Sequence, residues 1–185
     1  MILYRHRRRM ELPMVAGKRQ GGFTYLFVLL ALTLIAGMLL KSREIAQIHH
    51  RQEQEEELLF RGEQIRKAIS RYQKAPYANG CYPDRLEQLL EDRRGSQVHH
   101  HLRRWFSDPL TGNPQWGMNV DPQGRWIGVH SLGSGRPLRK SGFNAQVDVH
   151  KFKKAESYSE WVFAVKPDAN APHPSVCKSN NKSYH

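Results

Sequence analysis

The sequence predicts an α+β fold in which one long N-terminal helix, apolar in its first half and amphipathic in its second, packs on a small antiparallel β-sheet. Three observations predict it. An uncharged apolar run extends from Phe23 to Leu40; beyond it apolar residues recur at helical spacing as far as Tyr72; and the C-terminal half turns to short aromatic and β-branched stretches divided by Gly and Pro turns. The expected organisation is a basic leader over residues 1–22, a transmembrane helix half over 23–40, an amphipathic half over 41–75, an α+β head over 76–167 and a disordered tail over 168–185.

The apolar run is 18 residues long. As a helix it measures roughly 27 Å, close to a hydrocarbon core of about 30 Å. The leader carries Arg5, Arg7, Arg8, Arg9, Lys18 and Arg19 against Glu11 alone, so the positive-inside bias places it in the cytoplasm and Lys41 onward outside. A secretory signal peptide is the competing reading. Its apolar stretch is shorter, about 7–15 residues, and small residues follow it, whereas here Gly21 and Gly22 precede the run. Cutting after Gly22 leaves the apolar segment on the mature chain.

Past the run, Ile45, Ile48, Leu58, Ile65, Ile69 and Tyr72 are compatible with one helical face, and Arg51 with Glu55, Glu57 with Arg61 and Glu63 with Lys67 are opposite charges four apart. The helix is therefore expected to run unbroken from Phe23 to about Lys74, a length of roughly 75–80 Å. Pro76 and then Asn79-Gly80 end it. The stretch Gln52–Glu57 reads as too polar to be buried, so the head is expected to cover Gly62 and the Leu58–Tyr72 stripe.

Next, Tyr82–Leu90 reads as a short helix with Pro83 in its first turn and Leu86, Leu89 and Leu90 on one face. His99–Trp105 reads as a further helical turn before Asp108-Pro109. Three adjacent histidines invite a metal, but neighbours in a helix do not converge on one side, and no Cys or carboxylate cluster stands at ligand spacing, so no metal is expected. Gln115–Val120, Trp126–Ser131 and Trp161–Val165 are predicted strands of a three-stranded meander, with Trp116, Trp126, Phe143, Phe152, Trp161 and Phe163 as its core.

The junction Lys18-Arg19-Gln20-Gly21-Gly22-Phe23-Thr24-Tyr25-Leu26 resembles that of type IV prepilins and type II secretion pseudopilins. The resemblance implies a pilin-like fold, cleavage between Gly22 and Phe23 by a membrane aspartyl peptidase, and N-methylation of Phe23. In these families the fifth mature residue is usually Glu, whereas here the position is Phe27. An ionised carboxylate within a bilayer is stabilised by pairing with a neighbour's terminal amine, which Phe27 cannot do. Its absence is similar to a minor subunit held at a filament tip, or to a divergent lineage in which the contact is dispensable.

Asp108-Pro109-Leu110-Thr111-Gly112-Asn113-Pro114, Trp116-Gly117 and Gly128-Val129-His130-Ser131-Leu132-Gly133-Ser134-Gly135 resemble, in the same order, stations of the major type II pseudopilin. In that relative the following loop carries acidic residues that bind calcium. Here it reads Ser134-Gly135-Arg136-Pro137-Leu138, and an arginine repels the ion, so no calcium is expected.

Composition bounds the rest. The chain of 185 residues has a formal net charge of +12, of which the leader's six cations and one Glu account for +5, leaving +7 on the mature chain. Residues 76–185 hold fifteen Lys or Arg against ten Asp or Glu. That excess admits nucleic acid as a partner, yet no phosphate-binding loop or nucleic-acid module accompanies it. Cys81 and Cys177 both lie beyond the run, where an oxidising periplasm would let them pair, although Cys177 falls in the polar tail. No catalytic constellation is framed by a motif, so neither an enzyme nor a cofactor is expected.

The expectation is thus an inner-membrane, single-pass, pilin-like structural subunit of a type II secretion or type IV pilus-like system, its head periplasmic. Its expected partners are other pseudopilins or pilins, the prepilin peptidase, the inner-membrane assembly platform and inner-membrane lipid. The competing expectation is a minor pilin whose basic head binds DNA, which a concentrated patch among Arg93, Arg94, Arg103, Arg104, Arg139 and Lys140 favours.

Overall fold

The computed structural model describes residues 23–143 and 147–180. The chain divides into two compact units, the first ending at Ile45 and the second beginning at Ala46, and a single helix, α1 (Phe23–Lys74), contributes to both. Elements α2 (Glu87–Leu90), β1 (Gly117–Val120), β2 (Trp126–His130), α3 (Val149–Lys154), a 3-10 turn (Tyr158–Glu160), β3 (Phe163–Ala164) and α4 (Pro174–Asn180) follow. The architecture is the expected α+β one, a long helix packed on a small antiparallel sheet.

The sheet order is β1-β2-β3, all antiparallel. Gly117 faces His130, Met118 faces Val129 and Asn119 faces Gly128; an irregularity then shifts Val120 onto Trp126. The turn between β1 and β2 is tied by Asp121, whose Oδ1 accepts from the amides of Gln123 and Arg125, while Gly124 takes the positive φ of 78° that closes it. On the other side Gly128 and Val129 pair with Ala164 and Phe163. A Cβ at Gly128 would strike the Ala164 backbone, so glycine lets the short strand approach.

Between Leu58 and Tyr72 the buried side chains of α1 are Leu58, Glu63, Ile65, Ala68, Ile69 and Tyr72, and the Gly62 backbone is buried with them. Opposite them lie Phe163, Trp161, Phe152, Tyr158, Val129 and Trp126 in one cluster. Phe152 and Trp161 stack with centroids 5.4 Å apart, and Trp161 Nε1 donates to the Phe152 carbonyl at 3.0 Å, so the largest side chain leaves no polar atom unpaired. A Cβ at Gly62 would overlap the Phe163 ring, so glycine lets that ring pack directly on the helix backbone. Trp116 and Trp126 are buried as expected, and Phe143 is half-buried against Phe152.

Ile45 and Ile48, which precede the Leu58–Tyr72 stripe expected to be covered, are exposed. The structure departs from the sequence reading at three places. Only Glu87–Leu90 of the expected Tyr82–Leu90 helix is helical. His99–Trp105 is not a helical turn: Asp92 and His99 exchange backbone hydrogen bonds of 2.8 and 2.9 Å as an isolated bridge, and His101–Arg104 follow as bends. The tail, read as disordered from its composition, forms α4 over Pro174–Asn180. Cys177 within it is bonded to Cys81 (S–S 2.09 Å), and Arg125 Nη1 and the Tyr82 hydroxyl engage Ala171 and Asp168 just before it. Composition reports only the missing apolar core; a covalent tie across 96 positions substitutes for it.

Candidate functional site

Two regions of α1 hold candidate functional residues. The first is the apolar run. Phe23 opens the helix and Phe27 lies one turn on; Gly22 is outside the described residues. From Phe23 to Leu39 every large apolar side chain is exposed, by 41–79%. Among the described residues no large apolar side chain of the run is buried, and its length and composition suffice to cross a membrane. Contiguous apolar surface of this size marks a contact with a membrane or with another protein. Phe27, at 64% exposure, offers only apolar surface at the position where the resembled families keep a carboxylate.

The second region is the first covered turn of the helix, where Glu55 is fully buried. This corrects the reading of Gln52–Glu57 as too polar to bury at Glu55 alone; Gln52, Glu53, Glu56 and Glu57 are exposed. The Glu55 carboxylate accepts from the amide of Leu138 at 2.6 Å, the amide of Arg139 at 2.9 Å and the hydroxyl of Tyr158 at 2.7 Å. Arg51 reaches the same hydroxyl through Nε at 3.3 Å and donates through Nη2 to the Ser134 carbonyl at 3.3 Å. The two residues expected to pair as solvated charges therefore turn together into the head. Burial, followed by the hydrogen bond to Glu55, pushes the Tyr158 hydroxyl up to about 12.

These contacts clamp the loop after β2 onto α1. Arg51 and Glu55 hold it at Ser134, Leu138 and Arg139, and Arg136 pairs with Glu156 at 2.5 Å on its outer side. Three donors around one buried carboxyl group satisfy its oxygens. A sequence signal for Glu55 existed. Glu55, Leu58, Gly62, Ile65, Ile69 and Tyr72 follow one another at alternating spacings of three and four, so Glu55 occupies the next stripe position.

The motif stations meet in a second buried carboxylate. Asp108, wholly buried, accepts from the Ser131 hydroxyl at 2.7 Å and the Leu132 amide at 3.0 Å through Oδ2, and from the Leu110 amide at 3.0 Å through Oδ1. Its backbone bonds to Asn113 and Gly112. The Asp-Pro, Gly-Asn-Pro and Ser-Leu-Gly segments are thus three sides of one knot beneath the same loop, and their role is to hold backbone.

The three histidines diverge. His99 stacks on Tyr77, His100 contacts the Leu90 carbonyl, and His101 Nε2 lies 2.9 Å from Asp92. Asp92 also takes Arg94, whose guanidinium lies 3.4 Å over the Tyr72 ring. Burial raises the Asp92 carboxyl, but the hydrogen bonds from Arg94 and His101 outweigh it and the net shift is downward. Among the described residues no group of three His, Cys, Asp or Glu side chains is placed to hold a metal. The six cations proposed as a DNA patch are partly committed: Arg93 pairs with Glu91 at 2.7 Å and Arg94 with Asp92 at 2.7 Å.

No family model, no curated protein and no solved structure matches the chain.

Proposed function

We propose that the chain is a membrane-anchored, pilin-like structural subunit (a pseudopilin) of a type II secretion or type IV pilus-like assembly. The observation that carries this reading is one uninterrupted helix, Phe23–Lys74, whose first half presents only uncovered apolar surface and whose second half is the spine of a small α+β head. Such a division supports an anchor that moves from lipid into contact with neighbouring copies while the head stays folded. The basic leader and the Gly22-Phe23 junction support cleavage there by a prepilin peptidase, N-methylation of Phe23, a cytoplasmic leader and a periplasmic head. The disulfide between Cys81 and Cys177 is compatible with that compartment. Phe27 in place of a carboxylate favours a minor or tip position over the filament shaft. DNA binding by the head draws less support, because Arg93 and Arg94 are engaged in ion pairs.

The test is intact mass and N-terminal sequencing of the chain from the membrane fraction. The reading expects a mature start at Phe23 carrying one methyl group, and loss of processing in Gly22→Val. A chain that starts at Met1, or beyond Leu40, contradicts it.

A further inference from the structure

We propose that the exposed basic face formed by the 136–140 loop and α3 docks on an anionic phospholipid surface; the inference rests on the membrane-anchor reading above. The face is assembled from two segments distant in sequence. The Lys140 ammonium lies 3.3 Å from the Ala155 carbonyl at the end of α3, the Phe143 and Phe152 rings meet edge to face at 5.6 Å, and Arg136 reaches Glu156. In α3 only Phe152 is buried, which leaves Lys151, Lys153 and Lys154 turned to solvent with Lys140 beside them. Arg136 is exposed and Arg139 half-exposed on the same loop.

From Arg136 to Lys154 the sequence holds six Lys or Arg against one acid, Asp148. Asp148 caps α3 through the Lys151 amide and lies 3.9 Å from the Lys151 ammonium; Glu156 is occupied by Arg136, and Glu160 is exposed beyond them. Val149, at 43% exposure, adds an apolar side chain among the cations. Cations interspersed with an exposed aliphatic group suit a headgroup layer, whose phosphates take up the charge and whose upper acyl region takes up the valine.

The choice of lipid over other polyanions comes from the tether. The loop is clamped to Arg51 and Glu55 of α1, and Arg51 follows Leu40 by eleven residues. Eleven residues span no more than about 40 Å in any conformation. A bilayer that takes up Phe23–Leu40 is therefore tethered to this face through the same chain and is presented to it at high effective concentration. A nucleic acid has to be captured from solution.

The full chain is placed in nanodiscs of phosphatidylcholine alone or of phosphatidylcholine with phosphatidylglycerol, and lysine acylation is read by mass spectrometry. Labelling of Lys140, Lys151, Lys153 and Lys154 is expected to fall roughly three-fold or more in the anionic discs and to recover at high salt. Lys67 and Lys74, on the covered half of α1, serve as references and are expected not to change. The variant K151E/K153E/K154E should abolish the protection of Lys140 while its thermal transition stays in place. Equal labelling of the four lysines in both discs, with the chain retained in both, overturns the lipid contact and leaves the anchor reading intact. A chain retained by neither disc overturns both. Stronger protection by duplex DNA added to phosphatidylcholine discs overturns the proposal in favour of nucleic acid.

Discussion

The two halves of α1 are both apolar enough to need a cover, and they obtain it differently. Leu58, Ile65 and Ile69 are fully buried by the chain's own sheet, whereas Leu32, Leu34 and Ile35 are 54–58% exposed. The difference lies in pattern. The covered half spaces its apolar residues three and four apart with charges between, so one stripe meets one sheet. The uncovered half is apolar on all sides, which no single-sided contact can satisfy. A surrounding solvent of low polarity, or a ring of neighbouring helices, meets that demand.

The sharpest way to break the comparison is to place the same charge in each half. Leu58→Asp should unfold the head, with a loss of more than about 4 kcal/mol, because an unpaired carboxylate would enter a packed core. Leu32→Asp should leave the head's thermal transition where it is and weaken membrane insertion by about 3 kcal/mol. Calorimetry and flotation on the same pair of variants check both outcomes.

The disulfide and the clamp come next. Cys177→Ser releases α4 from Cys81 and should cost about 2–4 kcal/mol in denaturant unfolding, given the length of the loop it closes. Glu55→Ala strands the Leu138 and Arg139 amides and the Tyr158 hydroxyl, and should cost about 3 kcal/mol; Glu55→Gln retains one acceptor and should cost about half as much. Amide exchange at Leu138 and Arg139 should rise in both variants ahead of that in β2.

The smallest effect is one of pH. Burial pushes the hydroxyls of both Tyr72 and Tyr158 up to about 12, so the folded head holds these protons more tightly than the unfolded chain, whose tyrosines titrate near 10. That stability is fully present below about pH 10 and is lost as pH rises toward 12. Head fluorescence followed from pH 9 upward should show the loss. Membrane retention through the apolar half should persist over the same range.

The sequence made the fold legible wherever period and punctuation agreed. The helix from Phe23, its end before Pro76, and the order of the three strands all followed from spacing and from turns at Asp121–Gly124 and Gly133–Gly135. Legibility failed where a polar group is satisfied from far away in the chain. Glu55 looks solvated because its three donors, at Leu138, Arg139 and Tyr158, lie more than eighty positions later. His99–His101 looks like a helical turn because the bridge from Asp92 to His99 is invisible to local propensity. The tail looks unstructured because its ordering comes from one covalent bond and two backbone contacts to Arg125 and Tyr82.

The most direct test of the account replaces Phe27 and, separately, Leu58 with a photoreactive phenylalanine analogue in membranes that hold the full chain. From position 58 the account predicts adducts within the same chain, on the sheet residues around Phe163 and Val129. From position 27 it predicts adducts to phospholipid or to the apolar run of another membrane-embedded chain. Intrachain adducts from position 27 to the head would show that the apolar half folds back on its own protein, and would contradict the division of α1 on which the proposed function rests.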